Sequence, residues 1–169
     1  GNYDVIYHLA AVSNPKACED NPLLAWDINV NGTLNILTKL RKNQKLVFAS
    51  SARVYSPGKH PHGEDESLRP RDFYGLTKRV CEDLIAYYSS KNDFRFTVLR
   101  FFNIYGPGQS NGFLLPDVIE KYKSDKKVEI YNPEAVRDFL HIEDAIRALV
   151  AAAEVDGTFN IANGTTTKV

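Results

Sequence analysis

Sulfur is the scarcest thing in this sequence. Its 169 residues include no methionine and only two cysteines, Cys18 and Cys81, which lie far apart and form no C-x-x-C pair. No histidine cluster stands at metal-ligand spacing either, so neither a metal site nor a disulfide framework is expected, and the two thiols read as reduced and packed. A net field is also missing. The 21 basic and 21 acidic residues cancel, which leaves nothing to steer nucleic acid or an anionic membrane. Purely apolar runs are only a few residues long, far short of a bilayer span, and no charged-then-apolar leader opens the chain. These absences describe a cytoplasmic protein with no membrane, metal or nucleic-acid partner. Internal repeats and low-complexity segments are absent too. The chain starts at Gly1 and enters an apolar strand almost at once, and with no methionine anywhere it reads as a segment of something longer.

What remains is 43% hydrophobic and long enough to bury a core. The run Asp4 to Ala11 is apolar and ends in small residues, as a buried parallel strand opening into a loop does. Asn21-Pro22 then offers an N-cap and a first-turn proline to a long helix carrying Leu23, Trp26, Val30, Leu34, Leu37 and Leu40. Lys45 to Ser50 predicts a second strand, and a loop rich in Pro, Gly, His and charge follows to Asp72. Tyr74 to about Lys91 predicts a helix and Phe96 to Phe102 a third strand, completing a parallel α/β alternation. From Gly112 the texture changes. Helices are expected over Phe113 to Lys123 and Ile142 to Ala153, with short strands at Val128 to Tyr131, Arg137 to Leu140 and Gly157 to Ala162. His8 reads as a packed strand-end histidine, and His60 and His62 as solvated loop residues.

The chemistry centres on Tyr74-Gly75-Leu76-Thr77-Lys78. A spacing of four on a helix puts the phenol and the ammonium on one face, and a cation beside a phenol favours the phenolate. In open parallel sheets ligands sit beyond the carboxyl ends of the strands. Ala10-Ala11, Ser50-Ser51 and Phe102-Asn103 fall there, so four segments converge on one crevice. Bland roles stay open: Ser51 could cap a turn, Asn103 could serve its own loop, and Arg137-Asp138 could be a structural ion pair.

Taken in order, His8-Leu9-Ala10-Ala11, Asn29-Val30-Asn31-Gly32-Thr33, Ser50-Ser51-x-x-Val54-Tyr55, Tyr74-x-x-x-Lys78, Arg100-x-Phe102-Asn103-x-Tyr105-Gly106-Pro107, Arg137-Asp138-Phe139-x-His141-Ile142-x-Asp144 and Phe159-Asn160-Ile161 resemble one family. It is the extended short-chain dehydrogenase/reductase superfamily, in its NAD-dependent epimerase/dehydratase branch acting on nucleotide sugars. The resemblance implies a partial Rossmann-like α/β fold, a parallel sheet with helices on both faces. Residues 1–111 would be the C-terminal part of the NAD(P)-binding domain and 112–169 part of a small α/β substrate region. Tyr74 would be the base toward a sugar hydroxyl, with Lys78 on the nicotinamide ribose and helping to depress the Tyr74 pKa. Ser51 would bond the reacting oxygen. Leu9, Ala10, Ala11, Asn29, Ser50 and Phe102 would line the cofactor cleft, and Asn103 and Arg137 would hold the nucleotide diphosphate. A homodimer built on the helices after Pro22 and before Lys91 is also implied.

The sequence departs from that family in three places. It has no G-x-x-G-x-x-G turn, so two strand-helix passes, about 60 residues, are absent, and with them the residue that decides between NAD and NADP. Ala52 and Arg53 stand where 4,6-dehydratases carry acids, which favours a 4-epimerase or a simple dehydrogenase/reductase over a dehydratase. The link Tyr131 to Val136 lacks the glycine turn of many epimerases. A non-catalytic sensor with this fold is the third reading.

Overall fold

The computed structural model describes residues 3–58, 61–129 and 134–168. In chain order its elements are β1 (Val5–His8), α1 (Pro15–Asp20), α2 (Pro22–Trp26), α3 (Gly32–Leu37), β2 (Lys45–Ser51) and α4 (Phe73–Asn92). There follow β3 (Arg95–Phe101), β4 (Asn103–Tyr105), α5 (Leu114–Asp125), β5 (Val136–His141), α6 (Ile142–Ala151), β6 (Gly157–Ile161) and β7 (Thr166–Lys168). One sheet runs β1-β2-β3-β6 with every neighbour parallel, and a smaller one runs β4-β5-β7.

Strand alternation sends side chains to two faces, and helices cover both. Leu46, Phe48 and Val98 point to one side, where Val30, Leu37, Cys81 and Ile85 from the helical layer meet them. Val47, Leu99 and Phe101 point to the other, against Leu140, Ala145 and Ala152. Removing such side chains from water contributes about 1.5–3 kcal/mol each. At the N-terminal edge of the sheet the buried Lys45 ammonium is not left bare. It donates to Thr97 Oγ1 at 2.7 Å and to Asp156 Oδ1 at 2.5 Å.

The long helix expected after Pro22 is broken into α2, a π-helical turn over Asp27–Asn31, and α3, with the separate α1 before it. The π turn swings Asn29 inward, as such bulges often do at functional sites. The third strand is interrupted at Phe102, and Asn103–Tyr105 leaves it to pair with β5 in the smaller sheet. The expected strand over Val128 to Tyr131 does not form at Val128 and Glu129, and its remainder lies outside the described residues, as do His60 and the first half of the Tyr131 to Val136 link. Beyond residue 112 the chain returns to the larger sheet, where β6 pairs with β3 and α6 packs. An apolar face on the sheet left open by β3 and β2 needs cover, and α6 supplies it.

Candidate active site

The turn that follows β2 meets the N-terminus of α4, and several capping contacts fix that helix. Asp72 is its N-cap, accepting from Gly75 N at 2.7 Å, while Glu19 from α1 accepts from Phe73 N at 2.7 Å. Arg53 Nη1 reaches Asp72 at 2.5 Å, tying the helix start to the turn after β2. Gly75 is obligatory here, since a Cβ would sit 2.3 Å from the Arg53 carbonyl oxygen. Its absence lets α4 rest directly on that turn.

This contact brings Ser51, Tyr74 and Lys78 together. The Ser51 hydroxyl accepts from Arg53 N at 3.2 Å, so it does cap the turn, and it lies beside the Tyr74 phenol. Lys78 is 3% exposed, donates to Ala49 O at 2.8 Å, and lies 4.7 Å from the Phe48 ring centroid and 5.8 Å from that of Tyr74. Lys78 by itself does not draw the phenol down. Burial pushes Tyr74 up to about 12, against a lowering from the neighbouring Ser51, and burial brings Lys78 down to about 8. Both charged forms lose water, and that loss is the largest cause of each shift.

Leu9 and Ala10 are exposed just beyond β1 and Ala11 is half-buried, an apolar shelf at the end of that strand. Asn29 sits behind the shelf rather than on it. Its Oδ1 accepts from Val12 N at 2.7 Å, and its Nδ2 donates to Val12 O at 3.1 Å and Thr77 Oγ1 at 3.0 Å. At 2% exposure it acts by holding the β1 loop against α4. Ser50 likewise faces inward, bonded to Glu82 and not to the crevice. Phe102 is half-buried, its N–H on Ile161 O at 3.0 Å.

Register places Asn103 opposite Phe139, so Asn103 and Arg137 share one face of the smaller sheet. Asn103 Nδ2 donates to Asp138 O at 3.0 Å, across the sheet and not to its own loop. Arg137 is exposed, and the Asp138 carboxylate is turned to Asn163 N and Gly164 N, both at 2.8 Å. His8 is packed as expected: 6% exposed, bonded to Thr33 Oγ1 at 2.9 Å, and lowered to about 4 by burial and then by Lys78. His62 is not solvated. Its ring stacks on Tyr55 with centroids 4.6 Å apart and bonds Glu66 at 2.8 Å. Cys18 and Cys81 are both buried and free. No helix among the described residues is long and apolar enough to cross a membrane.

Sequence reasoning gave no role to Asp72, Glu19, Glu82 or Arg100. Asp72 carried a signal, an N-cap residue two before Tyr74, and Glu82 carried another, its place one turn beyond Lys78. Glu19 carried none, because only the fold brings α1 beside the start of α4.

A family model for the NAD-dependent epimerase/dehydratase family matches residues 1–162. A Methanocaldococcus jannaschii protein described as a putative UDP-glucose 4-epimerase is 33% identical, over 98% of this chain and 57% of its own length. A UDP-N-acetyl-alpha-D-glucosaminuronate decarboxylase from Bacillus cytotoxicus is 30% identical, over 90% of this chain and 50% of its own length. Among solved structures, MoeE5 in complex with UDP-glucose and NAD superposes with a TM-score of 0.92 at 29% identity, over 99% of this chain and 59% of that one. The chain thus spans about half the length of the curated relatives it matches. Since the match runs through nearly the whole of what is present, the chain belongs to the NAD-dependent epimerase/dehydratase family.

Proposed function

We propose that the protein works as an NAD-dependent nucleotide-sugar 4-epimerase. The observation that carries this reading is the Tyr74 phenol, beside Ser51 and one helical turn from a buried Lys78 ammonium, at the carboxyl end of a strand in a parallel sheet. The residues fit a dinucleotide at its nicotinamide end. Lys78 gives one donor to Ala49 O and has others to offer a ribose diol beside the apolar shelf of Leu9, Ala10 and Ala11. When bound, NAD supplies a hydride acceptor and a positive charge beside the phenol.

Ser51 orients the sugar hydroxyl and Tyr74 takes its proton as the carbon is oxidised to a 4-keto sugar. After the sugar turns, Tyr74 returns the proton. A phenol held near 12 keeps its proton, so Tyr74 acts as the base only after that proton has passed to solvent as positive charge enters the site. Asn103 and the exposed Arg137, on one face of the smaller sheet, would grip the nucleotide diphosphate, where a guanidinium fork suits phosphate oxygens. A dehydratase is disfavoured because Ala52 and Arg53 offer no acid, and the nearby Asp72 is engaged by Arg53 and Gly75.

The decisive experiment supplies the full-length protein with NAD and UDP-glucose. Appearance of UDP-galactose without net NADH, lost in Tyr74→Phe, supports the proposal, whereas net NADH would favour a dehydrogenase of the same family. A homodimer is part of the same reading. Leu23 at 83% exposure and Tyr87 at 59% leave apolar surface on α2 and α4 to pair across a twofold axis.

A further inference from the structure

The last three residues of β2 are each held from a single stripe of α4. Tyr74, Lys78 and Glu82 stand at successive i, i+4 positions. Lys78 bonds the Ala49 carbonyl, the Ser50 hydroxyl donates to Glu82 Oε1, and Tyr74 lies beside Ser51. Two of the three are expected reacting groups, and Glu82 is not among them. Its carboxylate is 8% exposed and locked from behind by Arg100, itself 6% exposed. Arg100 Nε lies 3.2 and 3.1 Å from the two Glu82 oxygens and Nη2 lies 2.7 Å from Oε2. Its Nη1 donates to Tyr55 Oη at 2.6 Å and Glu64 O at 2.9 Å, so the guanidinium cannot swing away. A buried ion pair is weak ground for stability, because desolvation offsets most of the attraction. What this one does fix is direction: a bidentate fork sets the plane of the carboxylate and aims its free lone pair at Ser50.

We propose that Glu82, held by Arg100, is a positioning residue that sets the spacing between the end of β2 and α4, and with it the contact of Ser51 with Tyr74. It also keeps one negative charge a turn from Lys78. This inference rests on the reading of Ser51, Tyr74 and Lys78 as the reacting groups. The groups facing that ammonium are Tyr74, Cys81 and Glu82 from its own helix, Cys18 from α1 and His8 from β1. Burial lowers Lys78, and Cys81 and Cys18 raise it only once ionised, yet both thiols are themselves pushed up by burial. With His8 neutral above about 4, Glu82 is the anion that acts on Lys78 near neutral pH.

The test compares Ser50→Ala, Glu82→Gln, the double variant Glu82→Gln with Arg100→Gln, and Tyr74→Phe in the full-length protein. Turnover of UDP-glucose with NAD, the thermal midpoint and a 13C NMR titration of Lys78 are the readouts. Ser50→Ala, which leaves the ion pair intact, is expected to lower kcat about 10- to 100-fold with KM little changed, the scale of a misplacement approaching 1 Å. Glu82→Gln should do the same and lower the Lys78 midpoint. The double variant, freed of an unpaired guanidinium, should regain the thermal midpoint without regaining kcat. Recovery of kcat together with the midpoint, or an unchanged kcat in Ser50→Ala, would overturn the proposal and leave Glu82 structural. An unmoved Lys78 midpoint in Glu82→Gln overturns it too, whatever sugar the enzyme accepts. Tyr74→Phe separates the two readings, since full turnover in that variant sinks the assignment of the reacting groups themselves.

Discussion

Replacing Gly75 with alanine sets two known effects against each other at one atom. In a helix interior alanine is favoured over glycine by about 1 kcal/mol, so an exposed site would be stabilised. Here the added Cβ would meet the Arg53 carbonyl oxygen at 2.3 Å and Pro70 Cβ at 3.1 Å. The first contact is with backbone, which cannot rotate aside, and overpacking of this kind costs about 1–3 kcal/mol. Taking the severe end of that range, the net loss is about 2 kcal/mol, or a fall of roughly 4–8 °C in Tm for a chain of this size. Restoring ordinary contact requires α4 to lift by about 1 Å, and Tyr74 is the neighbouring residue. A displacement of that size is enough to lower kcat about 100-fold. Thermal unfolding by circular dichroism and steady-state turnover measure the two effects separately. A Gly75→Ala protein that is more stable than wild type, with kcat intact, would refute the argument that α4 rests on the turn after β2.

Three further outcomes follow from the buried charges and the exposed face. His8 has its folded pKa lowered from 6.5 to about 4, so the unfolded chain takes up its proton first. The stability tied to a neutral His8 is whole above pH 6.5 and drains away as pH falls toward 4, by roughly 3 kcal/mol. Urea melts across that window should flatten in His8→Gln, and an equally steep decline would exclude His8 as the cause. Asp156 has its pKa lowered below 3.8 by hydrogen bonds from Lys45 and Arg95, so its stabilisation holds above that value and is lost as pH falls through the folded pKa. Asp156→Asn should cost about 1.5–3 kcal/mol at pH 7 by weakening the hold on the buried Lys45, and chemical denaturation showing no loss would contradict it. Sedimentation velocity should show a dimer that Tyr87→Glu shifts toward monomer; a monomer at every concentration of the unaltered protein would remove the dimer proposal.

The sequence by itself determined the alternation of strand and helix, because buried parallel strands and amphipathic helices each leave a local pattern. It also determined that Tyr74 and Lys78 share a face, since four-residue spacing on a helix needs no partner to be read. Ser51 was legible from its position after an apolar run. The tertiary structure alone decided which way the charges shift: burial, a property of the assembled layers, raises Tyr74 and lowers Lys78 where spacing argued for a lowered phenol. Only the fold showed that Ser50 and Asn29 turn inward, because a side chain at a strand end or in a π turn takes its direction from what packs beside it. The smaller sheet, with Asn103 and Arg137 on one face, joins residues far apart in the chain, and no local pattern carries such a pairing. The Glu82–Arg100 lock is of the same kind, made by a helix and a strand that meet only when the core closes.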